Sequence, residues 1–475
     1  MKLQTKIIGG ISWQAAGLIS QIVLNLIFLV ILARILTPKE FGIMAILRAL
    51  LAMVEVFMEF GFGAALIQRT QIDAKYIVCA FHASIVLGAI LYIFAVTASS
   101  FLTFAFFNAI SSDLMLVFFS IIVIRSFAIV PRALLVRDFE FKKIFYATLL
   151  STIIGNLLLG IPLALYGYGV WSLVVAFVSV GLINAFLLFF MRPHKVFEKY
   201  TIDVVKNIFS YGWNLTVYRF FSQAGMQADK FFIGKIFDVE SLGLYERAIY
   251  FTNLPKAIVG GSVSNVAFSA FSRLREDANA RSKAFQVYVG SVFFLMAALC
   301  QFFYFYPDII IQILLGDQWM AAVPLMEILA VLVLLQSLTR FLDPIVRSEN
   351  LMKKAIPIKA LFALIVVVTL YLSSQSNMLP VVAMSLIVPT VVHVLLMLRL
   401  VLKALGIKWK ELHLLLVFSV AFLLYFILKE GVIMLVGADT SNLLDSSALV
   451  LVDIIYFGLC GSILFRLLKR KSILS

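Results

Sequence analysis

Charged residues are scarce in this chain: Asp, Glu, Lys and Arg make up 13% of its 475 residues. An average soluble domain carries about 25%, so a water-soluble globular fold is excluded. The three cysteines, Cys79, Cys300 and Cys460, all fall in apolar stretches, which indicates neither a disulfide framework nor a metal site. No G-x-x-x-x-G-K-[ST] string occurs, so no phosphate-binding loop of that type is present.

Apolar residues are abundant instead. They form 63% of the chain, the mean hydropathy is +1.06, and runs of about 20 apolar residues recur along its length. Each run can cross the hydrocarbon layer as a helix, because a helix satisfies its own backbone hydrogen bonds in lipid. The sequence predicts an all-α integral membrane protein with about fourteen spans: 10–33, 41–66, 76–98, 113–135, 144–166, 169–191, 209–234, 242–268, 284–306, 322–345, 355–374, 378–400, 411–429 and 447–467.

The positions of Lys and Arg predict the orientation. With the N-terminus in the cytoplasm, most basic residues fall in the cytoplasmic connections, whereas the opposite connections hold Arg34, Lys39, Lys235 and Lys429 and little else basic. Short basic loops stay in the cytoplasm, so both termini are predicted there. The net charge of +14 reflects this orientation, since the basic residues form no single face for nucleic acid.

Short matches predict an internal repeat. Glu40-Phe41-Gly42 matches Ser241-Leu242-Gly243 at an offset of 201 residues, and Trp13-Gln14 matches Trp213-Asn214 at an offset of 200. Two related bundles are common in transporters. The predicted parts are a six-helix lobe (1–191), a cytoplasmic linker (192–208), a second six-helix lobe (209–402), two further spans (411–467) and a basic cytoplasmic tail (468–475).

Three segments carry a resemblance to a known family: Ala33–Gly42 (ARILTPKEFG), Leu135–Lys142 (LVRDFEFK), and Asp229–Gly234 (DKFFIG) with Leu242–Tyr245 (LGLY). The chain resembles the polysaccharide transporters of the multidrug/oligosaccharidyl-lipid/polysaccharide exporter superfamily, the flippases of O-antigen, colanic acid and teichuronic acid. The resemblance implies two lobes in a pseudo-twofold V, alternating access, and a polyprenyl-diphosphate-linked oligosaccharide as substrate. It also implies the bacterial cytoplasmic (inner) membrane, a role in lipopolysaccharide, capsule or exopolysaccharide synthesis, and a polymerase and other assembly proteins as partners.

Ionisable residues within the spans are the candidate binding groups, because a charge near mid-bilayer is costly unless it faces a cavity or a partner. On the seventh span, four polar residues are spaced four, four and three apart, which places them on a single helix face: Arg219, Gln223, Gln227 and Lys230. Arg binds a diphosphate through several coplanar N–H donors, and Lys binds it through a compact ammonium charge. The predicted headgroup site comprises Arg48, Arg219, Gln223, Gln227, Lys230 and Arg247. The alternative is that these residues make interhelical ion pairs or reach toward an interface.

Export against a gradient requires a source of free energy. No cofactor is expected, so we expect coupling to H⁺ or Na⁺ through a buried carboxylate that alternates between two protonation states. The candidates are Glu55, Glu59 and Asp229; pairing with Arg48 or Lys230 explains these acids equally well. For Arg340, Asp343 and Arg347, spaced three and four apart, the expectation is an intrahelical salt-bridge ladder.

Two rival functions remain open. A membrane polymerase would be expected to carry catalytic residues in a long extracytoplasmic loop, whereas the loops predicted here are short and hold no evident acid/base set. A multidrug exporter of the same superfamily would hold acids for cationic drugs, whereas this interior is richer in cations. The sequence therefore favours a transporter without enzymatic activity.

Overall fold

The structure is a computed structural model that describes residues 2–58, 61–68, 72–106, 110–200, 202–273, 278–409, 420 and 422–431. Helices make up nearly all of this described part, which contains no β-strand. Contacts divide the chain into two compact units, 1–243 and 244–475.

Within the described residues, unit 1 comprises nine α-helices, one π-helix and the first five residues of α10. They are α1 (Lys2–Ala33), α2 (Pro38–Met58), α3 (Phe62–Gln68), α4 (Ala74–Phe106), α5 (Ser112–Arg137), α6 (Phe141–Thr152), a π-helix (Ile153–Gly160), α7 (Ile161–Leu165), α8 (Val170–Met191), α9 (Ile202–Ile236) and α10 (Val239–Arg273). The π-helix joins α6 to α7, so the predicted fifth span is one helical path.

Unit 2 contains the rest of α10 and the helices that follow it. They are α11 (Ala278–Phe305), α12 (Pro307–Leu314), a 3₁₀ helix (Asp317–Ala322), α13 (Val323–Ser348), α14 (Met352–Ser374), α15 (Leu379–Ser385) and α16 (Ile387–Leu405). Residues 422–431 are also helical.

Among the residues that the structure describes, ten helical segments are long and apolar enough to cross a membrane. They are Ser12–Ala33, Pro38–Met58, Ala74–Ala98, Ser112–Arg137, Phe141–Leu165, Val170–Met191, Ala280–Phe305, Asp317–Ser348, Met352–Ser374 and Leu379–Leu405. The chain is thus a multi-pass membrane protein. The predicted seventh and eighth spans fall on α9 and α10, which are 35 residues long but more polar. Most of the last two predicted spans lies outside the described residues, so the count of fourteen and the lobe boundaries stay predictions.

One predicted span is interrupted. The expectation of a single helix over 41–66 is wrong, because α2 ends at Met58 and α3 starts at Phe62. Gly61 between them has φ +89°, a left-handed conformation that glycine adopts without steric cost and that a helix cannot continue through.

The starts of α2 and α10 meet in a reciprocal contact. A Cβ built on Gly42 would lie 2.8 Å from the carbonyl carbon of Val239, and one built on Gly243 would lie 2.7 Å from that of Pro38. Pro38 and Val239 are equivalent positions at the offset of 201 residues, and so are Gly42 and Gly243. The contact of Gly42 with Val239 is therefore repeated by that of Gly243 with Pro38. Only glycine allows the two backbones to approach this closely.

The same two helices begin with the two complementary halves of a capping box, at equivalent positions. The backbone N–H of Thr37 donates to Oε2 of Glu40 at 2.7 Å, and the N–H of Ser241 donates to Oδ1 of Asp238 at 2.5 Å. Thr37 and Asp238 are again 201 residues apart. Such side-chain acceptors satisfy backbone donors at a helix start, so the matched segments share local structure as well as sequence.

Candidate functional site

Three charged side chains gather around one phenyl ring in unit 1. Arg48 and Glu55 lie on α2, Arg125 lies on α5, and Phe177 lies on α8. The guanidinium carbon of Arg48 is 5.3 Å from the centroid of the Phe177 ring, and that of Arg125 is 5.1 Å away. Glu55 forms an ion pair with Arg125. We call these four residues the arginine cluster.

The arginine cluster is accessible rather than sealed in the helix bundle. The side chains of Arg125 and Glu55 are 39% and 36% exposed, and Arg48 is exposed on a helix whose neighbouring positions are buried. All three charged residues fall within candidate membrane spans. An ionised group facing hydrocarbon costs at least about 2.5 kcal/mol, so we expect this surface to face water rather than lipid.

The Glu55–Arg125 pair contributes little to stability by itself. Both partners are more than a third exposed, and such pairs are worth about 0–1 kcal/mol. Phe177 in turn stacks on Phe118 of α5, with centroids 5.2 Å apart and an interplanar angle of 11°. The Phe177 ring is therefore held against α5, and it contacts both guanidinium groups.

The predicted polar stripe of the seventh span lies on α9. Arg219, Gln223, Gln227 and Lys230 are all half-buried on this continuous helix. Helix α9 packs against α2, where the Phe220 and Phe57 rings are 5.6 Å apart. Oε1 of Gln227 is buried and accepts no hydrogen bond in the described part of the chain, so it retains the capacity to bind a donor.

The candidate acids differ in their surroundings. Asp229 is 6% exposed, and its Oδ1 accepts a hydrogen bond from the backbone N–H of Lys230 at 2.8 Å. Glu55 forms an ion pair with Arg125. The sequence had suggested Arg48 or Lys230 as the partner of the candidate acids. Glu59 lies outside the described residues. Among the described residues, no three His, Cys, Asp or Glu side chains are grouped to hold a metal ion.

Arg247, the remaining cation of the predicted site, belongs to a different unit from the arginine cluster. Arg247 lies in unit 2, is 5% exposed, and packs 5.2 Å from the centroid of the Tyr250 ring. It is thus a buried side chain in contact with an aromatic ring. Its predicted role in binding stays a prediction.

Two members of the arginine cluster were absent from the predicted site. Arg125 was recognisable as an intramembrane cation, but its proximity to Glu55 depends on the packing of α5 against α2. Phe177 is one of 44 phenylalanines, and no spacing in the sequence distinguishes it from the phenylalanines that face lipid.

Comparison with known proteins decides the family. The profile of a family described as "Polysaccharide biosynthesis protein" matches residues 31–324, more than half of the chain. The chain belongs to this family. The resemblance drawn from the three sequence segments is thereby confirmed, and the matched region includes the arginine cluster and the whole of α9.

Two bacterial relatives have low sequence identity to this chain, but each match extends over about two thirds of it. Succinoglycan biosynthesis transport protein ExoT of Rhizobium meliloti is 22% identical over 325 residues, which cover 67% of this chain and 65% of ExoT. Teichuronic acid biosynthesis protein TuaB of Bacillus subtilis is 21% identical over 340 residues, 70% of this chain and 69% of TuaB. The match therefore spans about two thirds of each relative's length.

Solved structures support the fold. An inward closed conformation of the lipid II flippase MurJ superposes with a TM-score of 0.76 and 16% identity, covering 97% of this chain and 100% of that one. An inward-facing multidrug resistance MATE family transporter of the MOP superfamily gives a TM-score of 0.65 and 13% identity, covering 81% and 94%. Both similarities concern the fold alone, since both identities are low.

Proposed function

We propose that this protein is a flippase that translocates polyprenyl-diphosphate-linked oligosaccharide repeat units across the bacterial cytoplasmic membrane. The product would enter lipopolysaccharide, capsule or exopolysaccharide synthesis. The observation that carries the proposal is the arginine cluster: two guanidinium groups on an exposed surface within the membrane spans. The transport and flippase functions named for the relatives and for one structural neighbour agree with it.

The chemistry of the cluster suits a diphosphate headgroup. A diphosphate presents several acceptor oxygens, and guanidinium groups bind such oxygens through paired N–H donors. The face of Phe177 supplies no acceptor oxygen, so the ring itself does not compete with a diphosphate for the N–H donors of Arg48 and Arg125. The half-buried amides and cations of α9 extend the polar surface toward the sugars, while the prenyl chain stays in lipid.

Alternating access in two pseudo-twofold six-helix lobes, with both termini in the cytoplasm, is the mechanism we propose. Coupling to a gradient of H⁺ or Na⁺ would supply the free energy, with Glu55, Asp229 and Glu59 as candidate coupling acids. A polysaccharide polymerase and other assembly proteins are the proposed partners, because each exported repeat unit must be consumed on the outer face.

Transport of a fluorescent polyprenyl-diphosphate oligosaccharide into proteoliposomes tests the proposal. Arg48→Ala and Arg125→Ala should each reduce the initial rate at low substrate concentration at least tenfold. Arg399→Ala is the matched control, since Arg399 is an exposed residue near the end of α16. Equal rates for all three variants would contradict a cationic headgroup site.

A multidrug exporter is the second candidate, because its fold superposes on the same chain with a TM-score of 0.65. The two functions differ in the charge of the cargo. Efflux of a cationic dye that persists in Arg48→Ala, combined with no movement of any lipid-linked oligosaccharide by the unaltered protein, would favour the exporter.

A further inference from the structure

Unit 2 contains a buried charged cluster remote in sequence from the arginine cluster. Asp343 lies on α13, Lys359 on α14 and His393 on α16. The ammonium nitrogen of Lys359 is 3.5 Å from Oδ1 of Asp343. Lys359 is 3% exposed and His393 is 8% exposed. Buried ionisable residues inside membrane spans are rare and usually functional.

The imidazole of His393 lies close to this ion pair. Its ring stacks on Phe362 of α14, with centroids 4.4 Å apart and an interplanar angle of 21°. Phe362 and Lys359 are three residues apart and therefore share a helix face. Packing of α16 on α14 thus holds the imidazole against Phe362, a residue one helical turn from Lys359.

One ring nitrogen of His393 has no hydrogen-bond partner among the described residues. Nε2 is buried and makes no hydrogen bond within the described part of the chain. Leaving a buried polar nitrogen unpaired is costly, and an apolar side chain of similar size would avoid that cost. A lone pair kept free beside a charged pair is available to accept a proton.

The surrounding helices contribute mainly cationic groups. Helix α15 has no titratable residue. Nζ of Lys256 donates to Oε1 of Gln336 at 3.0 Å, and the hydroxyl of Tyr288 donates to the backbone carbonyl of Phe341 at 2.9 Å. Nε of Arg347 donates to the backbone carbonyl of Asp343, and the other charged or titratable groups on these elements include Lys256 of α10, Tyr288 of α11 and Arg340 of α13. Of these groups, Asp343 is the single carboxylate.

We propose that Asp343, Lys359 and His393 form a proton-binding site that couples proton movement to transport. The proposal rests on the proposed function. When Nε2 of His393 takes a proton from a hydronium ion, one O–H bond breaks, one N–H bond forms and a water molecule is left. The resulting imidazolium joins the ammonium of Lys359 beside one carboxylate. Two cations then compete for Asp343, so the Lys359–Asp343 pair weakens and α14 is released from α13. Loss of the proton restores the pair.

The position of the site agrees with exchange of protons toward one side. Asp343 lies five residues before the end of α13, and Lys359 lies seven residues after the start of α14. These distances correspond to about 8–11 Å along the helices. Both ends lie close to Lys353 and Lys354 in the first turn of α14, a basic segment for which the sequence predicts a cytoplasmic location.

Transport in proteoliposomes with an imposed proton gradient tests the site. His393→Gln should keep the gradient-free movement of a fluorescent polyprenyl-diphosphate oligosaccharide but lose its stimulation by the proton gradient. The control is His82→Gln, a histidine on α4 in unit 1. The double variant Asp343→Asn/Lys359→Gln removes both charges together, which membrane helices tolerate better than removal of one, and should lose stimulation too. Full proton stimulation in His393→Gln, or stimulation by sodium alone, would overturn the proposal.

A second readout needs no substrate. The chain has four histidines, so NMR of protein labelled at histidine gives four signals, and the signal missing in His393→Gln identifies His393. The chemical shift of this signal should change with pH, and the midpoint of that change should move in Lys359→Gln. If the signal titrates in this way but no lipid moves, the proposed function fails and the site stands. If lipid moves and the signal does not titrate, the site is overturned and the function stands.

Discussion

Replacing Gly42 with alanine should destabilise the structure, although alanine is the better helix former. The contact between α2 and α10 has no space for a methyl group: a Cβ at position 42 would lie 2.8 Å from the carbonyl carbon of Val239 and 2.9 Å from its Cγ1. Carbon atoms in ordinary contact lie about 3.5–4.0 Å apart. The two helix starts would therefore have to separate by about 1 Å.

The magnitude follows from two opposing terms. Overpacking of this kind costs about 1–3 kcal/mol, and the atom in the way belongs to the backbone, which cannot move aside by rotation as a side chain can. Gly→Ala within a helix contributes about 1 kcal/mol in the other direction. The net expectation for Gly42→Ala is a loss of about 1–2 kcal/mol, with a similar loss for Gly243→Ala.

Gly290 provides the matched control. It lies on α11, and a Cβ built there would meet no atom within 4 Å. Gly290→Ala should therefore show the helix-propensity gain alone and stabilise the protein by up to about 1 kcal/mol. The sign of the effect distinguishes the two glycines.

Thermal unfolding of the purified protein in detergent measures the difference, and hydrogen exchange locates it. Gly42→Ala should lower the unfolding temperature and speed amide exchange at the start of α2 and of α10. Gly290→Ala should raise the unfolding temperature and leave exchange at those two starts unchanged. A Gly42→Ala protein as stable as Gly290→Ala, with unchanged exchange, would refute the close contact.

Two further predictions concern aromatic neighbours. Phe177→Leu removes a ring face from Arg48 and Arg125, contacts worth about 0.5–1 kcal/mol each at exposed sites, so the KM for the lipid substrate should rise several-fold. The control is Phe186→Leu, because Phe186 is an exposed position on the same helix. An equal rise in KM for both variants would count against the role of the Phe177 ring. His194 lies just after α8, with its ring centroid 4.8 Å from that of Phe81, and burial lowers its pKa below 6.5. Packing of this segment is therefore complete above about pH 6.5 and is lost as the pH falls through the lowered pKa; hydrogen exchange at residues 192–200 should speed up on acidification in the unaltered protein but not in His194→Leu.

Much of the site could be anticipated from the sequence, because a helix places residues three and four apart on one face. Arg219, Gln223, Gln227 and Lys230 do lie on one continuous helix, as that spacing predicts. The pairing of charges could not be anticipated. The expected ladder on α13 omitted the partner of Asp343 on α14, and Glu55 pairs with Arg125 on α5. In both cases the partner lies on another helix.

Hydropathy and the distribution of basic residues determined, from the sequence alone, that the chain is a membrane protein and where ten of its spans lie. These properties are local, since each apolar run must satisfy its own backbone in lipid. The tertiary structure decided which charges meet: Arg48 and Arg125 around Phe177, and Asp343, Lys359 and His393 in unit 2. Such meetings depend on which helix faces pack together, and packing joins residues that are distant along the chain.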